Sequence, residues 1–283
     1  MENIKTIKVL TVLIVALAGI AALIGLFSSG AKEYDDIKTA FGETIKLYNK
    51  GLYARDSVSM ATQAIAQDFI TLVIGIPLVT LSLCLLHNRK AVGAFLLTGT
   101  IAYFLYTYMS YSFLITYNPL YLIYVAIMTL SLYDFILCMK AILQGGLCKR
   151  LEKQFPVKLI SRFLIITGLV LGMMWLGRIV PTITTNTAPA GLEHYSTLGI
   201  QTLDLGVVVP ACFVSGYLLK KKKEWGYLLA VVLVCKAVTM TAAVSAMAIL
   251  MRIRGVEMKP LELIVFPVLF VTCTYCSLKL FKR

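Results

Sequence analysis

The stretch LGIQTLDLGVVVPACFVSGYLLKKKKEWGYLLAVVLVCKAVTMTAAVSAMAIL, residues 198–250, holds two long apolar runs joined by four consecutive lysines. Each run, 198–219 and 226–250, meets the length of about 20 residues that a helix needs to cross hydrocarbon. Lipid offers no partner to a backbone amide, so a crossing segment is a helix or part of a closed barrel. The runs are continuously apolar rather than alternating, which selects helices. Four lysines between two spans mark a cytoplasmic turn.

Six further runs of this kind lie outside the hairpin, at 7–27, 69–86, 91–112, 119–139, 162–181 and 261–281. The reading is an all-α, polytopic bundle of about eight transmembrane helices. Composition agrees: 59% of residues are hydrophobic, 14% are charged and the mean hydropathy is +0.84. Soluble domains carry about 25% charged residues. The net charge of +13 is better explained by a membrane surface than by nucleic acid, because the basic residues sit in short turns between spans. Lys5, Lys8, Arg89, Lys90, the cluster from Lys140 to Arg162, the turn Lys220–Lys223 and the tail from Lys279 to Arg283 all fall on one side, where acidic residues are few. Both chain ends are therefore expected in the cytoplasm of a bacterial-type plasma membrane. The N-terminal run resembles a signal peptide, but it is long enough to span and has a poor cleavage pattern, so it reads as a retained first helix. All seven cysteines fall within spans or on the cytoplasmic side, which argues against a disulfide framework.

Two inter-span segments are long. In the external segment 28–66, Ile37, Phe41, Ile45 and Tyr48 recur at helical spacing, which predicts a surface helix ended by Asn49-Lys50-Gly51. Asp56 or Ser57 is expected to cap the helix that runs into the second span. The other, 140–161, is basic and reads as a loop facing lipid headgroups.

The halves 1–145 and 146–283 share landmarks. Pro77, Arg89-Lys90 and Gly93 match Pro210, Lys222-Lys223 and Gly226, with Gln67 and Gln201 ahead of each proline. Pro119-Leu120 and Pro260-Leu261 open the fourth and eighth spans. Two tandem four-helix repeats of the same orientation would follow, related by an axis along the membrane normal.

Ionisable residues inside spans cost about 2.5–3.5 kcal/mol each on insertion scales. Asp204 and Lys236 stand out. Folding the hairpin about residue 222 brings them within about one turn of each other, so a buried contact is expected, with Gln201 one turn outward from Asp204. Structural pairing and a solute or proton path are the two readings. Asp68, Arg178, Glu193, His194 and Glu262 fall near outer span ends and, with Asp204, could ring an external vestibule. Asp134 is expected at the inner interface. Pro77, Pro210 and Pro267 are expected to kink their spans. Gly168-x-x-x-Gly172 reads as a packing motif. The tyrosines of the third and fourth spans read as an interfacial belt, with an aromatic ligand pocket as the alternative. Cys273-x-x-Cys276 reads as two buried apolar cysteines. There is no phosphate-binding loop, dinucleotide motif, nucleophile elbow or HExxH zinc motif, so no cofactor or metal is indicated.

Gly42-Glu43-Thr44, Gly51-Leu52-Tyr53, Gln67-Asp68, Tyr117-Asn118-Pro119-Leu120 and Leu203-Asp204-Leu205-Gly206 through Pro210 resemble a group of bacterial multi-pass membrane proteins to which no activity is attached. The resemblance implies location and no site. The residues themselves point first to a small-solute permease or membrane-embedded ligand-binding protein. A lipid or isoprenoid enzyme using Glu193, His194 and Asp68 is a second reading. A sensor or assembly factor presenting 28–66 is a third.

Overall fold

A computed structural model describes residues 3–88, 90–153, 155–256 and 260–281, with side chains of the last segment described from Leu263 onward. Among the described residues, eight helices are long and apolar enough to cross a membrane: Ile4–Phe27, Val58–His87, Ala91–Leu114, Tyr121–Gln144, Val157–Thr185, Gly199–Lys220, Glu224–Ile253 and Leu263–Phe281. The chain is an all-α polytopic bundle. The short helix Leu147–Glu152 occupies the basic segment between the fourth and fifth spans.

The second span starts well before its apolar run. Ser57 caps it, its hydroxyl accepting the Met60 N–H at 3.0 Å. Its first turns are too polar for a hydropathy window but are buried, with Ala61 and Ala64 packed inside the bundle. Alanine and glutamine are accepted at membrane depth when protein, not lipid, surrounds them.

The third and seventh spans are the innermost. They cross where a β-carbon on Gly99 would fall 2.3 Å from Cys235 Cβ. Gly168 and Gly172 perform the same service on the fifth span, meeting Cys212 and Val209 of the sixth. That packing motif is spent inside the chain.

Two spans are interrupted by π turns, at Thr71–Gly75 and Asp204–Val208. Each is followed by a helix whose second residue is proline, Pro77 or Pro210. Proline cannot donate to the carbonyl one turn back and its ring crowds that carbonyl. Inserting one residue into the turn re-aims the carbonyls and absorbs the conflict. The two π turns lie 133 residues apart, and the same interval recurs downstream. Lys90 N–H donates to Leu85 C=O at 3.0 Å, as Lys223 N–H does to Leu218 C=O. A β-carbon on Gly93 would strike Leu86 N at 2.5 Å, and one on Gly226 would strike Leu219 N at 2.4 Å.

The segment between the first and second spans corrects the helical expectation. Ile37–Lys38 and Thr44–Ile45 form an antiparallel hairpin in which Ile37 faces Ile45. The even spacing of Ile37, Phe41 and Ile45 reflects a chain folded back about residue 41, not a helix face. Gly42, at φ 87°, makes the reversal, and the Thr39 hydroxyl accepts the Glu43 N–H. Asn49 at φ 58° and Gly51 at φ 56° turn the chain again. The Asn49 amide bonds both the N–H and the C=O of Tyr34.

Two further expectations are revised. Tyr103, Tyr108, Tyr111 and Tyr124 are buried rather than part of a belt, whereas Tyr117 and Tyr121 at the span ends are exposed. Tyr108, Tyr111 and Tyr124 pack edge-on or tilted in one cluster, with Tyr111 and Tyr124 centroids 5.2 Å apart. Tyr103 bonds Gln67 and Thr71 of the second span, Tyr108 donates to the Ala18 carbonyl of the first, and Tyr111 donates to Asp68, partners on other spans that a one-dimensional depth count misses. Asp134 is 0% exposed, not interfacial. It accepts the Thr11 hydroxyl at 2.7 Å and so joins the fourth span to the first.

Candidate functional site

Asp204 is the first residue of the second π turn and is 8% exposed. Both its oxygens are held. Tyr106 on the third span donates its hydroxyl to Oδ1 at 2.8 Å, and Trp175 on the fifth donates its indole N–H to Oδ2 at 2.9 Å. Lys236 on the seventh span is 9% exposed and sets its Nζ 3.7 Å from the centroid of the Tyr106 ring. Four spans thus converge on one aromatic-lined pair of opposite charges. A cation on a desolvated aromatic face gains about 2 kcal/mol.

The anticipated Asp204–Lys236 contact takes an indirect form. No lysine nitrogen to carboxylate oxygen approach within 4.0 Å links the two residues. Tyr106 touches both, its hydroxyl on the acid and its face under the ammonium. Among the described residues, the Lys236 ammonium has no hydrogen-bond acceptor. Gln201 is buried one turn outward on the Asp204 helix.

Outward from Asp204, Arg178 lies over the Trp175 ring at 5.8 Å and acts electrostatically on Glu193. Glu193 accepts the Ser57 hydroxyl, and burial raises its pKa against the pull of Ser57 and Arg178. Tyr195 donates to Asp56 Oδ1 at 3.0 Å, and the Thr116 N–H donates to the same oxygen at 2.8 Å. Burial nonetheless lifts the Asp56 pKa to about 6. These bonds fasten the loop before the sixth span to the segment between the first and second spans. Arg254, at the C-terminal end of the seventh span, adds a further fastening by lying 5.1 Å over the Tyr48 ring. The His194 ring lies tilted against that of Tyr195, centroids 4.3 Å apart, and burial lowers its pKa. It also lines a cavity of about 310 Å³ with Tyr34, Ile37, Leu47, Arg55 and Thr116.

The six vestibule residues do not form one ring. Arg178 and Glu193 connect toward Asp204 through Trp175, and His194 lines the cavity shared with Tyr34 and Arg55. Asp68 sits in a separate network at 1% exposure, taking the hydroxyls of Tyr53 at 2.6 Å and Tyr111 at 3.0 Å. Beside it, Gln67 donates to the Tyr103 hydroxyl at 2.6 Å. The Glu262 side chain lies outside the described residues. The convergence of Asp68 with Glu193 and His194 that lipid chemistry at the outer surface would draw on is therefore divided between two places.

Trp175 is the site residue that sequence reasoning passed over, while Tyr106 was read only as one of the tyrosines of the third and fourth spans. Trp175 did carry a signal. It is one of two tryptophans and stands well inside its span, away from the interfacial level where tryptophan is usual. No family model matches the chain, and neither does a curated protein or a solved structure.

Proposed function

We propose that this chain is a small-solute permease of a bacterial-type plasma membrane, with both termini cytoplasmic and its exchange site at Asp204, Tyr106, Trp175 and Lys236. One observation carries the reading: two opposite charges are kept at membrane depth without closing into an ion pair. Each costs free energy to bury, and a purely structural pair recovers that cost by direct contact with its remaining hydrogen bonds satisfied. Here one tyrosine touches both charges at a π turn, an interruption frequent at functional sites.

Depth supports the same reading. At about 1.5 Å per residue, Lys236 lies about 18 Å from the start of its helix at Glu224, and Asp204 about 7.5 Å from Gly199 at the opposite side. The site thus lies between the outer surface and the midplane. The recurrences 133 residues apart support an origin by duplication, with the interruption of each half facing the shared core. In the first half, Thr71 and Tyr103 stand 133 positions before Asp204 and Lys236 and share a neutral hydrogen bond of 3.0 Å. The charged pair is a specialisation of the second half.

The test is uptake into proteoliposomes of a fixed panel of radiolabelled amino acids, alkylamines, carboxylates and sugars. Asp204→Asn and Lys236→Met should each abolish uptake of whichever solute the parent protein moves, with helix content unchanged. Transport unaffected by both substitutions would overturn the assignment.

A further inference from the structure

We infer that the solute taken at the Asp204–Lys236 site is a small zwitterion, a molecule carrying one ammonium and one carboxylate group. The inference rests on the permease reading and names its substrate class.

Three features of the site lead to it. The first is the unpartnered donor. Lys236 is nine-tenths buried, and among the described residues its ammonium touches an aromatic face but no hydrogen-bond acceptor. An ammonium carries three N–H donors and cannot accept. A solute carboxylate supplies the acceptor that is lacking, in the charge-assisted form that is strongest. The second feature is the acid. Asp204 receives one donor on each oxygen, from Tyr106 and Trp175. A carboxylate has about four lone-pair sites, so it keeps capacity for a solute ammonium. The indole and phenol rings beside it offer faces that attract a cation.

The third feature is charge balance. The site contributes one positive and one negative group, both touching the Tyr106 phenol. A solute with a single charge would leave one uncompensated charge in a low-dielectric interior, which is costly. A neutral sugar would leave the Lys236 ammonium without a charged partner. A zwitterion laid across Tyr106 answers both protein charges and adds no net charge. Its carboxylate goes to Lys236 and its ammonium to Asp204, with the ring fixing the orientation.

The experiment uses the full chain in nanodiscs with Trp225→Phe, so that Trp175 is the sole tryptophan and reports on Asp204 directly. Glycine, β-alanine, propylammonium, propionate and sorbitol are titrated against Trp175 fluorescence, and the same five are tested for uptake. The parent should bind a zwitterion about tenfold or more tightly than either singly charged probe. Lys236→Met should erase the preference over propylammonium, and Asp204→Asn the preference over propionate. Tyr106→Phe keeps the ring beneath Lys236 and removes the bond to Asp204. It should weaken binding of the ammonium end while leaving propionate unaffected, and it guards against a folding defect in the charge variants. A singly charged or neutral probe that binds best and is transported in an Asp204-dependent way would overturn the zwitterion and leave the permease standing. A preference that survives both charge substitutions would also overturn it. Absence of binding and uptake for all five probes would remove both readings.

Discussion

Gly25 of the first span is where a single methyl group should do the most damage. A β-carbon there would fall 1.9 Å from Asp68 Oδ2, 2.8 Å from the Tyr53 hydroxyl and 2.9 Å from Asp68 Cγ. Nothing at that point is the loose end of a flexible chain. Asp68 is fixed by Tyr53 and Tyr111, and Tyr53 belongs to the turn Gly51–Tyr53 that seats the segment between the first and second spans on the bundle. Gly25→Ala must therefore displace the carboxyl group or part the first and second spans. Leaving a buried hydrogen-bonding group unsatisfied costs about 1–3 kcal/mol, and overpacking adds about 1–3 kcal/mol. Alanine's better helix propensity returns about 1 kcal/mol. The net loss is about 1–5 kcal/mol. The decisive assay is a double-mutant cycle on thermal or denaturant unfolding in detergent, pairing Gly25→Ala with Asp68→Ala. Removing the carboxylate first makes room for the methyl, so the second substitution should cost far less than in the parent, with a coupling of about 2 kcal/mol or more. Additive effects would refute the contact and, with it, the placement of Asp68 against the first span.

The latch around Asp56 should respond to pH. Asp56 takes up a proton at about 6 when docked, against 3.8 for its ordinary value. Between these values the docked state binds more protons, so docking weakens as pH rises from about 4 to about 6, by about 3 kcal/mol, and is level above that. Amide exchange across residues 31–57 should report this slope, Asp56→Asn should flatten it, and a slope of opposite sign would count against the buried acid. Ser57→Ala removes both the cap on Met60 and the bond to Glu193. It should cost about 1 kcal/mol or more of helix-start stability and raise exchange at the first turn of the second span. Gly93→Ala and Gly226→Ala meet backbone atoms at matching positions. Both should therefore lower the unfolding temperature by similar amounts, whereas a benign Gly226→Ala would break the equivalence of the two turns. Reporter tags at residues 88 and 221 should be shielded in intact cells, and labelling from outside would reverse the assignment of sides.

How much was legible follows from the range of each interaction. Apolar length is a local property, so the eight crossings could be counted from the chain, with errors only where protein replaces lipid. The apolar run of the second span was read as starting at 69 for that reason, since Ser59, Thr62, Gln63 and Gln67 interrupt the preceding turns, although Ser57 was correctly expected to cap the helix leading into it. Spacing was ambiguous in 37–45, because a hairpin folded about its centre repeats apolar residues as a helix face does. Its glycine reversal decided between them.

The polar network was legible only in its charges. Asp204 and Lys236 announce themselves because an ionised group inside an apolar run is costly wherever it lands, and the hairpin between them limits their separation. That Tyr106 touches both, that Trp175 holds the other carboxylate oxygen, and that Thr11 and Tyr53 do the same for Asp134 and Asp68, was settled by packing. Hydropathy and charge act on each segment separately and so can be read in order along the chain. Hydrogen bonds between spans depend on which helices become neighbours and how each is rotated, and that is determined by close contacts such as Gly99 with Cys235, made between residues far apart in the chain.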